Sequence, residues 1–121
     1  MTPTQIERNR EFLKDLRTNP WKAKEQMRDD NGGRCCLCVA LDTALRLGYR
    51  PANHEHLEDC ENYPPHSMGA FFGWPSRDPC LSGTCAVRHN DGDTVQEKTH
   101  KEIADLFERE FPEIKEGAPN A

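Results

Sequence analysis

No stretch of this sequence approaches the roughly 20 consecutive apolar residues that a bilayer-spanning helix needs, so none is expected. The opening run Met1–Gln5 has neither the basic start nor the apolar core of a secretory signal, and cytoplasmic residence in a host cell is the expectation. Basic residues are in deficit, 16 against 21 acids, and the net charge of −5 argues against sequence-independent binding to nucleic acid, which requires a basic stripe. Apolar residues are also scarce. At 35% hydrophobic and 31% charged, the 121 residues can furnish one modest core and not two. One compact domain over residues 1–116 with a flexible tail at 117–121 follows. Internal repeats and low-complexity segments are missing as well. So are the GxxxxGK[ST] and GxGxxG phosphate loops, and between His54 and Cys85 no two cysteines have the CxxC spacing of zinc ribbons.

What the chain does have is one apolar segment, Gly33–Gly48. Its Leu37, Leu41, Ala44 and Leu45 fall at helical spacing, and Gly48 sits where a C′ glycine ends a helix. A central helix Cys36–Leu47 is expected, buried and shielding its thiols. Before it, Thr2-Pro3-Thr4-Gln5 opens a helix reaching about Arg17, with Ile6, Phe12, Leu13 and Leu16 facing inward. Asn19-Pro20 starts a second short helix, Pro20–Arg28, anchored by Trp21 and Met27. Arg50–Pro79 is rich in proline and irregular, and Met68–Trp74 within it is the most aromatic piece. A small strand element around Ser82-Gly83 is expected over Cys80–Arg88, then a turn at Asn90–Asp93. Thr99 and Glu102 form a capping box for a last helix, Thr99–Phe111, with Ile103, Leu106 and Phe107 on one face. The fold class is therefore α+β.

Four groups of residues could carry chemistry. His54, His56, Cys60 and His66, with Cys80 and Cys85, are zinc-type ligands, or else scattered loop histidines and small buried cysteines. Cys35 or Cys36, at a helix start beside Arg34, could be an activated nucleophile, with His89 as base and Asp91 as orienter. The competing reading is a pair of ordinary buried thiols. Gly32-Gly33-Arg34 could present amides and a guanidinium to an anion, or simply join a loop to a helix. Phe71-Phe72-Gly73-Trp74 is either an interface hot spot or core. The bases between Arg8 and Arg28 interleave with acids and suggest a salt-laced solvent face more than a nucleic-acid patch.

Cys35-Cys36-Leu37-Cys38-Val39-Ala40-Leu41-Asp42, preceded by Trp21 and followed by Trp74, Asn90-Asp91 and Thr99 with Glu102–Leu106, forms an ordered motif set. It resembles a family of small proteins of tailed bacteriophages, prophages and some bacteria, marked by a CCLGVLCD core and a C-terminal LND…TFxEIADLIE. Three positions depart: Cys38 replaces the family glycine, Leu41 its third cysteine, and His89 the leucine before Asn-Asp. The resemblance implies a phage or mobile-element accessory protein, and it suggests Arg34, Asp42, Trp74, Asn90 and Asp91 as ligand-binding residues, with Asp42, Asn90 and Asp91 around one polar pocket beside the cysteines. The leading expectation is a non-enzymatic binding module that masks a host protein or sequesters a small ligand, with a counter-defence role in view, and without a cofactor. The alternative is an enzyme using Cys36, His89 and Asp91, or a zinc-dependent hydrolase.

Overall fold

The computed structural model describes residues 1–19 and 21–117. Helix α1, Pro3–Thr18, starts as the sequence predicts. The Thr2 hydroxyl accepts from the Gln5 amide while the Gln5 side chain accepts from the Thr2 amide. Its buried face is Ile6, Phe12, Leu13 and Leu16, plus Asn9. Helix α2, Cys36–Arg46, lies at the centre and touches α1, α3 (Ser67–Phe72) and α4 (Ala86–Asp91). Every residue from Cys36 to Leu41 is buried, so this helix is covered all round rather than on one stripe. Gly48, at φ +97°, ends it in the left-handed conformation that glycine adopts without a Cβ penalty. Helix α5, His100–Glu110, has the expected capping box, with Thr99 and Glu102 exchanging bonds.

The strand element is a two-residue-turn hairpin, β1 (Cys80–Leu81) against β2 (Thr84–Cys85). Ser82 and Gly83 at the tip both have positive φ, +53° and +83°, as a type I′ turn requires. The hairpin ends earlier than the sequence suggested. Val87 and Arg88 belong to α4, as do Asn90 and Asp91, and the turn begins only at Gly92, whose φ of +76° caps the helix. The whole is an α+β fold on one core, as expected. The expected tail falls mostly on residues 118–121, outside the described residues; Gly117 lies in a turn.

A cluster of Phe12, Phe72, Trp74 and Phe107 fills the space between α1, α3 and α5. Trp74 stacks on Phe72 with centroids 4.6 Å apart, and Phe107 meets Phe12 edge-on at 5.1 Å. Asn9 serves the one polar atom in that cluster. Its Oδ1 accepts the Trp74 indole N–H at 2.8 Å, and its Nδ2 donates to the Phe72 and Gln5 carbonyls. Trp74, expected among the ligand-binding residues, is thus a core residue with 5% of its surface exposed.

The second predicted helix is not formed. Residues 21–28 run as irregular backbone, because distant groups claim their amides and carbonyls. The Ala23 carbonyl accepts from Asn90, the Glu25 amide donates to Asp91, and the Met27 amide to the Glu61 carbonyl at 2.7 Å. Glu25 itself has φ +62°, which no right-handed helix contains. The bases of this region are not a free solvent face either. Arg10 bonds the Glu113, Ile114 and Lys115 carbonyls, Arg17 pairs with Asp105 and Glu108, and Lys22 bonds the Asn90 and Lys98 carbonyls.

Candidate functional site

The start of α2 is where the sequence concentrates its reactive residue types, and the structure fills it with internal partners. Cys35 is the N-cap, and its sulfur accepts from the Cys38 amide. The Cys36 amide, an unpaired donor in any helix start, is bonded by the Asn90 side-chain oxygen at 3.1 Å. Asn90 is fully buried, and its Nδ2 donates to the Ala23 carbonyl and to Asp91. An incoming anion would have to displace Asn90 at Cys36 and the Cys35 sulfur at Cys38.

Burial also disarms the thiols. It pushes Cys35 up to about 11 and Cys38 up to about 12, and it holds Cys36 well above the ordinary thiol range. The Cys36 sulfur faces the Ala86 carbonyl at 3.8 Å, while the His89 Nε2–H donates to the Leu81 carbonyl at 2.8 Å. No hydrogen bond joins Cys36 to His89, and Asp91 serves the Glu25 amide and Asn90 instead of an imidazole. The three residues of the nucleophile reading do not form a relay.

The metal-type residues are spread apart. Among the described residues, no three His, Cys, Asp or Glu side chains converge on a point that could hold an ion. His54, His56 and His66 are exposed, and the Cys60 thiol bonds the His56 carbonyl. Carboxylate chemistry orders the proline-rich segment. Glu55 accepts the Ala52 amide, the Ser67 amide and the Ser67 hydroxyl, and the Tyr49 hydroxyl shares that hydroxyl at 2.5 Å. These bonds, led by the Ser67 hydroxyl, hold the Glu55 carboxyl down at about 2.

Asp42, Asn90 and Asp91 do not share a pocket. Asp91 and Cys35 line one cleft of about 360 Å³, and Asn90 is buried beneath it. Asp42 instead stands on a ridge between two other clefts, with Arg28 bonding one of its oxygens at 2.5 Å and Arg34 bonding the other. The larger of these clefts, about 600 Å³, holds no aromatic side chain. The other, about 460 Å³, lies between the end of α1 and α2, and Trp21 stands at its edge with 70% of its surface exposed. Arg34 and Asp42 line it as one ion pair, and Arg46, bonded to Asp15 at 2.9 Å and to Glu11 at 3.3 Å, lines it as well.

Sequence reasoning placed Trp21 inside, as the anchor of a helix that does not form. Its neighbours Lys22, Lys24 and Glu25 are charged, and that was the available signal for an outward position. Fold and site together define a small α+β protein whose Cys35, Cys36 and Cys38 thiols are sealed in the core and whose open cleft is edged by an exposed tryptophan and paired charges. No protein-family model matches the chain, and no curated protein or solved structure matches it either.

Proposed function

We propose that the chain is a non-enzymatic binding module that docks a protein partner through Trp21 and the charged cleft beside it. The carrying observation is Trp21 itself, the most exposed of the large hydrophobic residues, on the cleft that Arg34 and Arg46 also line. Tryptophan and arginine dominate the energetics of protein interfaces. An open cleft with paired charges suits a protein surface better than an enclosed small molecule, which favours deep apolar pockets. The motif resemblance supports the wider setting: an accessory protein of phage or mobile-element origin that masks a host protein, with a component of host defence as one such target.

The test uses the folded chain as bait in a bacterial lysate, with three baits matched by circular dichroism. A specific partner is retained by wild type, lost with Trp21→Ala, and kept with Tyr63→Ala, which removes an exposed aromatic outside this cleft. Retention that survives Trp21→Ala refutes the assignment.

A further inference from the structure

The hairpin carries a feature that the binding reading leaves unused. Cys80 and Cys85 are direct cross-strand partners, Leu81 and Thr84 being the pair nearer the turn. The Ala86 amide bonds the Pro79 carbonyl at 3.0 Å on the far side. Cys80 and Cys85 therefore occupy the non-hydrogen-bonded position between two bonded ones. Directly opposed residues project to the same face, and at such positions the Cα atoms stand about 4.5 Å apart. Disulfides span Cα separations of about 4.4–6.8 Å. Both thiols are free, Cys80 exposed and Cys85 half-buried, whereas Cys35, Cys36 and Cys38 are sealed in the core.

We propose that Cys80 and Cys85 form a reversible redox pair that a small-molecule disulfide such as oxidised glutathione closes into an intramolecular disulfide. The exposed Cys80 thiolate attacks a glutathione sulfur, breaks the glutathione disulfide and expels one glutathione thiolate, which takes up the proton that Cys80 lost. Cys85 then releases its proton to water and attacks the Cys80 sulfur. The mixed disulfide breaks, the Cys80–Cys85 bond forms, and a second glutathione leaves. Two protein thiols are oxidised and one glutathione disulfide is reduced to two thiols.

The order of attack follows from the surroundings. Burial and the facing Asp78 carboxylate raise the Cys85 thiol above its ordinary range, while Cys80 is open to solvent. The ring encloses only four residues between the cysteines, so it constrains the unfolded chain little and is expected to be readily reduced. Cys85 is also the N-cap of α4, so closure fixes the start of the helix that carries Asn90.

The experiment treats the fully reduced chain with oxidised glutathione, blocks the remaining thiols with N-ethylmaleimide in denaturant so that the buried ones also react, and reads intact mass and peptide linkage. Wild type is expected to lose two of its six alkylatable thiols, to carry no glutathione, and to yield a Cys80–Cys85 linked peptide. Cys85→Ser, which puts a residue favoured at helix N-caps at that position, is expected to stop at a stable glutathione adduct on Cys80. A lasting adduct on wild type, a link to any other cysteine, a covalent dimer, or an unmodified Cys80 in Cys85→Ser each overturns the proposal.

Discussion

Replacing Asn90 by alanine should be among the most damaging single changes away from the large apolar residues. The side chain makes three bonds in the fully buried interior: it accepts from the Cys36 amide at 3.1 Å and donates to the Ala23 carbonyl at 2.8 Å and to Asp91 at 2.9 Å. Asp91 keeps the Glu25 amide and has solvent within reach, so its loss is minor. The Cys36 amide and the Ala23 carbonyl have no substitute, and each buried group left unpaired costs about 1–3 kcal/mol. Their sum is about 2–6 kcal/mol, and at about 4 °C per kcal/mol a chain of this length melts about 8–24 °C lower. Urea unfolding at pH 7, followed by far-ultraviolet circular dichroism, measures it. Amide exchange at Cys36 should also accelerate relative to the middle of α2. Asn90→Ala within about 0.5 kcal/mol of wild type, the scatter of ordinary surface substitutions, would refute the clip reasoning.

Other expectations follow from the same geometry. Gly69→Ala places a Cβ 2.8 Å from the Ser76 carbonyl carbon and oxygen, which are backbone and must shift; a loss of about 1–3 kcal/mol in chemical denaturation is expected. Maleimide pulse-labelling of the reduced native chain at pH 7 should modify Cys80 first and leave Cys35, Cys36 and Cys38 unreacted until denaturant is added; fast labelling of Cys36 would contradict their burial. Glu55 is held at about 2 by its bonds to Ser67 and Ala52, below its value in the unfolded chain. Its contribution is present above pH ~4.5 and lost as pH falls toward 2, so Glu55→Gln should flatten the acid limb of a stability–pH curve. Burial lowers the pKa of His100, so the unfolded chain takes up its proton first and stability falls as pH drops below about 6.5. His100→Gln should remove that slope in the same titration.

The elements that were legible are those whose signals are local. Thr2 with Gln5, Cys36–Leu41 with Gly48, and Thr99 with Glu102 each specify an end or a face within a few residues. The false helix at Pro20–Arg28 fails for the opposite reason. Its competitors are Glu61, Asn90 and Asp91, more than 30 residues away, and nothing in the segment announces them. Helix α4 was hidden because Asn-Asp-Gly reads as a turn; the glycine is indeed the turn, but it caps a helix that the two preceding residues complete. At the site, Arg34 and Asp42 were singled out only as separate ligand-binding candidates, and their ion pair, eight residues apart in the chain, shows in the structure alone. Trp21 was not legible there, because a large aromatic in a chain so short of apolar residues is naturally assigned to the core.

That shortage explains how the chain can hold an aromatic side chain out in water. Asn9 and Asn90 do comparable work: each is fully buried and joins distant segments by side-chain bonds, Asn9 linking α1 to the end of α3 and to the Trp74 indole, Asn90 linking α4 to the start of α2 and to the irregular backbone at Ala23. Around Trp21 the same device is dense. Its amide donates to Asn19, its carbonyl accepts from Arg34, and Lys22, Ala23, Glu25 and Met27 are each bonded to distant residues. The backbone under Trp21 is therefore fixed without the indole contributing to the core. An anchor so held loses little freedom on docking, and that loss is a main cost of association. Loosening the mount should then weaken binding even where the ring remains. Asn19→Ala, which keeps Trp21 but frees its amide, is expected to reduce partner retention in proportion to the faster exchange of the Trp21 amide. Undiminished retention with a freely exchanging amide would mean that preorganisation contributes nothing to binding there.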